Sequence, residues 1–221
     1  MHLLGLVLLL ALAQSARVPQ EHTRPVPITQ KEYDQRVQEE NKKHNWGEGD
    51  LRPGQPAPDF ELRRPGSDQT VRLSMFKGNK PVALIFGTYT CPIFRGQFRA
   101  VNDLADMYKS QVEFILVYVR EAHPIDGLQV EENVESGILV KSPQTLQEKR
   151  AVASSCLVGL NIKFTALVDG MDNKVEQAYT AWPTRLYLIA KDGTVTWKSK
   201  PGPAGFVAAE LAVAVENELE R

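Results

Sequence analysis

The sequence predicts an α/β fold, a central mixed sheet covered by helices, and three observations carry that reading. Two apolar runs, Pro81–Gly87 (PVALIFG) and Val112–Val119 (VEFILVYV), are continuous rather than alternating, as strands buried on both faces are. Between them Phe94, Phe98, Val101, Leu104, Ala105 and Tyr108 recur at helical spacing. Strand, helix and strand in that order make a right-handed βαβ unit with parallel strands.

The remaining elements follow along the chain. Leu3–Ala13 (LLGLVLLLALA) is an apolar run of signal-peptide length, shorter than the about 20 residues a membrane-crossing helix needs. Ala11 and Ala13, or Ser15 and Ala16, offer cleavage positions, although Met1 and His2 bring no Lys or Arg to the start. Residues 1–16 are expected to be a signal peptide or short anchor. The chain is then secreted or extracytoplasmic, with membrane anchoring through this N-terminal segment as the alternative. Residues 17–50 read as a polar linker, because Pro19, Pro25 and Pro27 precede a charged run without an apolar stripe. Residues 51–221 form the folded domain.

That domain is expected to open with a hairpin at about 59–62 and 70–73, between Gly and Pro breaks. After the βαβ unit comes a polar excursion from Arg120 to about Ser142, longer than incidental loops usually are. A helix over 145–157 takes Ala151, Val152 and Ser155 as its compact face. A strand over 164–168 follows, then a helix over 174–181 capped by Asp172 or Asn173. Arg185–Ala190 and Thr194–Lys198 form a hairpin across Lys191-Asp192-Gly193, and an amphipathic helix over 205–220 closes the chain.

With 26 basic and 27 acidic residues the net charge is −1, which gives no electrostatic reason to expect a nucleic-acid partner. Two cysteines, Cys91 and Cys156, exclude a disulfide-stapled scaffold. His2, His22, His44 and His123 are too scattered for a zinc site.

Cys91 follows a buried strand and starts a helix with Pro92 in its first turn, where unpaired amides and the helix dipole favour a thiolate. The polar turn GTYTCP argues against a packing cysteine. Glu121 and His123 stand just past the neighbouring parallel strand, so the same sheet edge brings them towards Cys91. A histidine moves protons near neutral pH and a carboxylate can orient it. Trp182-Pro183 enters another strand, where a cis proline can shape a turn beside the cysteine. Arg185, within the apolar TRLYLIA, needs a carboxylate or the thiolate as partner. Cys156 reads as a buried, apolar cysteine remote from Cys91.

Several stretches resemble the iodothyronine deiodinase family: FGTYTCPIF, FILVYVREAHPIDG, LVDGMDN, AYTAWPTRLYLI and GPAGF, between about Phe86 and Phe206. REAHPIDG is the most specific. The resemblance implies a thioredoxin-like fold and reductive removal of iodine from iodothyronines, the chemistry of thyroid hormone metabolism, including thyroxine 5'-deiodinase activity. Cys91 matches the family's selenocysteine, His123 its histidine and Glu121 its acidic residue. The resemblance further implies no bound cofactor, an external thiol reductant and a homodimer. A thiolate is less polarisable than a selenolate and forms less readily, and Tyr89 replaces a cysteine seen in some members.

GQPAPDFEL and Thr88-x-x-Cys91 also resemble peroxiredoxins, in which the threonine and an arginine, here Arg185, would hold a peroxide; Leu84 stands where that motif has proline. Three functions follow in order: a reductive dehalogenase with Thr88, Trp182, Pro183 and Arg185 around its substrate, a thiol peroxidase, and a non-catalytic thioredoxin-like binding module.

Overall fold

The computed structural model describes residues 47–221 and six helical positions between 31 and 42. The expected signal segment and most of the linker lie outside the described residues. Seven strands form one sheet in the order β2-β1-β5-β4-β3-β6-β7. Here β1 is Glu61–Arg63, β2 Thr70–Arg72, β3 Val82–Gly87 and β4 Glu113–Tyr118. The others are β5 Thr165–Val168, β6 Arg185–Ile189 and β7 Val195–Lys198. The helices are α1 Pro92–Tyr108, α2 Glu131–Glu135, α3 Leu146–Gly159, α4 Lys174–Tyr179 and α5 Ala208–Leu219. Among the described residues no helix is long and apolar enough to cross a membrane.

The centre of the sheet is buried because its strands have no polar face: every residue of β3 and β6 is inaccessible. β3 and β4 run parallel with Gly87 opposite Tyr118, and Tyr118 lies opposite Val168 of parallel β5. β6 is antiparallel to β3, with Arg185 opposite Phe86. Three strand ends and one strand start therefore meet at a single edge, from which the segments beginning at Thr88, Val119, Asp169 and ending at Thr184 emerge. Gly87 closes β3 with no side chain because Phe94 of α1 lies over it. A Cβ at that position would come within 2.1 Å of the Phe94 ring.

Two local expectations are corrected. The buried face of α3 is Lys149, Ala153 and Cys156, while Ala151 and Ser155 are exposed and Val152 is half-buried. The spacing of four and three sets that face, and an expectation built on small residues alone missed it. Asn173 stands at the N-cap of the helix after β5, as one alternative had it, but its side chain makes no capping hydrogen bond. Asp169 at the strand end accepts the N–H groups of Val175 and Glu176, at 3.3 and 2.9 Å. Asn173 is a left-handed turn residue (φ 53°), and α4 stops at Tyr179 because Thr180 is also left-handed (φ 47°). The polar excursion contains α2.

Candidate active site at the carboxyl edge of the sheet

Cys91 is the N-cap of α1, directly after the turn that leaves β3. The amides of Ile93 and Phe94 stabilise its ionised form, as does the Arg95 charge; burial, the larger effect, and Glu121 push the thiol up. The turn read from sequence as polar, and therefore not a packing site, is in fact interior. Thr88 and Thr90 are fully buried and Cys91 is 1% exposed. Its hydroxyls make this tolerable because the segment after β4 satisfies them.

That segment is organised around Glu121. Its Oε2 accepts from Thr88 Oγ1 at 3.0 Å, Thr90 N at 3.1 Å and Thr90 Oγ1 at 2.7 Å. Its Oε1 accepts from the Tyr118 hydroxyl. Burial raises the Glu121 carboxyl above its usual range, against these hydrogen bonds. Thr90 Oγ1 in turn accepts the backbone N–H groups of Ala122 and His123, at 3.1 and 3.0 Å. Cys91, Glu121 and His123 are thus joined through Thr90.

The His123 ring is held differently from the sequence expectation. Among the described residues no hydrogen bond joins Glu121 to the imidazole; Nδ1 lies 2.8 Å from the Leu128 carbonyl. A carbonyl can only accept, so Nδ1 carries the proton and Nε2 presents its lone pair. Burial holds the ring below its usual titration range, so near pH 7 Nε2 is a proton acceptor.

Two further residues complete the edge. Asn133 of α2 is fully buried and donates to the Thr90 carbonyl at 2.9 Å and the His123 carbonyl at 3.3 Å. It accepts from Arg95 Nη1 at 2.8 Å, which also donates to the Tyr89 carbonyl at 2.8 Å. Sequence reasoning missed Arg95, although its spacing of one helical turn from Cys91 is a signal that could have found it. Asn133 left no signal among the polar residues of its loop.

Trp182-Pro183 is cis and lies at the same edge. Arg120 stacks over the Trp182 ring at 5.3 Å and pairs with buried Glu176 at 2.5 Å. Arg185, 1% exposed, donates to the carbonyls of Gly47, Glu48 and Thr180 and to the Glu48 carboxylate. Its partner is therefore a carboxylate and not the thiolate. Cys156 is fully buried in α3, and burial pushes its thiol strongly up. Both cysteines are free. Among the described residues no group of three His, Cys, Asp or Glu side chains could hold a metal. A cavity of about 830 Å³ between α1 and the segment that joins α3 to β5 has Arg95 in its wall but not Cys91 or His123.

Solved structures with this fold include a secreted disulfide oxidoreductase of Mycobacterium tuberculosis homologous to E. coli DsbE. It is 19% identical with a TM-score of 0.52, covering 72% of this chain and 95% of that one. The thioredoxin domain of a thiol-disulfide oxidoreductase from Bacteroides vulgatus is 16% identical with a TM-score of 0.54, covering 76% and 98%. The fold is thus thioredoxin-like. In sequence, the thyroxine 5-deiodinase of Rattus norvegicus is 33% identical over 170 residues, 76% of this chain and 54% of the relative. That of Homo sapiens is 32% identical over the same length and shares. The chain spans about half the length of these curated relatives. Residues 31–219 match the family profile described as iodothyronine deiodinase, and the chain belongs to that family.

Proposed function

We propose that this chain is a thiol-dependent reductive dehalogenase of iodothyronine-type iodinated aromatics, with Cys91 as nucleophile and His123 as proton carrier. The observation that carries this reading is the tie from the Cys91 turn through Thr90 to the Glu121–His123 segment. The names of the relatives, each a thyroxine 5-deiodinase, support the substrate class.

In the proposed reaction Cys91 Sγ–H gives its proton to His123 Nε2. The thiolate takes the iodine from the ring, breaking the carbon–iodine bond and forming Sγ–I, and the ring carbon takes the proton from the imidazolium. Two equivalents of an external thiol then return Cys91 to the thiol, releasing iodide, a proton and a disulfide. Glu121 acts on Thr90 and the backbone that carries His123, not on the ring. The near-complete burial of Cys91 means that what covers it must move aside for the substrate. The peroxidase alternative is the weaker one, because the Thr88 hydroxyl that would hold a peroxide is bonded to Glu121.

Purified protein incubated with an iodothyronine and a dithiol tests the reading, with hydrogen peroxide and dithiol in parallel. Iodide release that disappears in Cys91→Ser supports it. Rapid peroxide consumption without iodide release would replace it with the peroxidase. Export rests on the apolar run at 3–13, and N-terminal sequencing of protein recovered from secreting cells tests it. Sedimentation of the full chain tests the homodimer.

A further inference from the structure

The sulfur of Cys91 faces a difficulty that burial makes worse. A thiol ionises less readily than a selenol, and at 1% exposure Cys91 has almost no water to solvate its anion. Something fixed must supply that solvation. The helix amides do part of it, and the geometry around Arg95 points to the rest.

We propose that Arg95 is a positioning residue that stabilises the Cys91 thiolate, and that Asn133 is the anchor holding its guanidinium there. Arg95 follows Cys91 by four residues on α1, and its own backbone N–H donates to the Cys91 carbonyl at 3.2 Å. Arg95 thus lies one helical turn beyond the N-cap cysteine, joined to it by that backbone bond. Nη1 is fixed from two directions, by the Tyr89 carbonyl and by Asn133 Oδ1, each at 2.8 Å. Asn133 is itself immobilised, because its amide donates to the Thr90 and His123 carbonyls from a fully buried position. One side chain thus ties the guanidinium, the residue before the nucleophile and the residue that carries the imidazole into one unit. A long flexible cation without such an anchor loses much of its electrostatic value to rotamer freedom and water.

The charged and titratable groups around the pair act in definite directions. Glu121, from the segment after β4, opposes ionisation of Cys91, and Arg95 favours it. Burial is the largest influence on Arg95 and disfavours its charged form; Glu132 of α2, and Cys91, Tyr89 and Cys156 when ionised, act the other way. Burial, and to a smaller extent the Arg95 charge, disfavour protonation of His123, so the imidazole is neutral before it receives the Cys91 proton.

This inference rests on Cys91 as the nucleophile of the proposed function, and its test is independent of substrate turnover. The rate of Cys91 alkylation by iodoacetamide is followed from pH 5 to 10, with the modified peptide resolved from that of Cys156 by mass spectrometry. Arg95→Met should lower the rate at pH 7 about tenfold and move the midpoint to higher pH, as loss of about one pKa unit of stabilisation requires. Arg95→Gln, which keeps a donor for the same two acceptors without the charge, should do the same, and it serves if Arg95→Met does not fold. Arg95→Lys should keep most of the wild-type profile. Asn133→Leu should move the midpoint in the same direction by a smaller amount, because it frees the cation without deleting it. A wild-type alkylation profile in a folded, neutral Arg95 variant overturns the inference even if iodide release is observed. Absence of iodide release from wild-type protein with the predicted profile shift would overturn the dehalogenase reading and leave this one standing.

Discussion

His123 is tied to the Cys91 turn by its own backbone, whose N–H donates to Thr90 Oγ1 at 3.0 Å. The same hydroxyl accepts from Ala122, donates to Glu121 and lies 3.1 Å from the Thr88 hydroxyl, so one buried oxygen serves four partners. Thr90→Val has nearly the same shape but leaves the His123 N–H without an acceptor, the Ala122 N–H with only its longer bond to Thr88 Oγ1 at 3.3 Å, and Glu121 short of a donor. It should lose about 2–3 kcal/mol of stability and most of the iodide release. Thr90→Ser keeps the oxygen and should lose about 1 kcal/mol, for the missing methyl alone. Urea denaturation of the pair checks this, and equal stabilities would mean that the hydroxyl does not join these segments.

Replacing His123 with Ala should lower iodide release by about 10²–10⁴ while Cys91 stays alkylatable. The folded state also holds His123 neutral to lower pH than its usual 6.5. The unfolded chain therefore gains the proton first on acidification. The stability contributed above pH 6.5 is lost as pH falls through the lower, folded value. Glu121, Asp169 and Glu176 have raised values and act in the opposite sense, but they are common to both proteins and cancel in a comparison. The difference in urea midpoint between wild type and His123→Gln should therefore shift in favour of the variant as pH is lowered from 7.5 to 5.5. A difference that does not vary with pH would contradict the buried, neutral ring.

Arg120→Ala should destabilise through Glu176, which is 2% exposed and bonded to Arg120 at 3.1 and 2.5 Å. Removing one member of such a pair strands a buried charge, at a loss of about 3 kcal/mol, the low end because Arg120 is itself partly exposed. Burial already raises the Glu176 carboxyl, and the Arg120 charge opposes that rise. Without Arg120 the carboxyl protonates at still higher pH. The destabilisation should be full at neutral pH and shrink as the solution is acidified. Thermal melts of both proteins at pH 8 and pH 5 would detect this.

Gly87→Ala tests how closely α1 is set against the end of β3. The added Cβ would lie 2.1 Å from a Phe94 ring that already packs on Phe98 and Phe206 at centroid distances of 4.6 and 5.6 Å. Overpacking of this kind costs about 1–3 kcal/mol, readable as a lower midpoint in a thermal melt. Because Thr88 to Cys91 follow directly, iodide release should fall further than stability does.

The sequence by itself determined the elements whose evidence is local. The unbroken apolar runs at 81–87 and 112–119, the helix starting after Cys91 and the hairpin across Lys191-Asp192-Gly193 all emerged with bounds within one or two residues of those found. It also determined that Cys91, Glu121 and His123 leave the sheet from one edge, since parallel neighbours end together. Only the tertiary structure decided that Cys91 is interior, that Glu121 binds Thr88, Thr90 and Tyr118 rather than an imidazole, and that Asn133 and Arg95 belong to the site. Thr90 and Asn133 are 43 residues apart, as are no two members of any local pattern. Helical and strand periodicity reports which face of an element is apolar. Which buried polar group meets which depends on the path the 120–142 segment takes across the turn, and that path is set by satisfying donors and acceptors far apart in the chain.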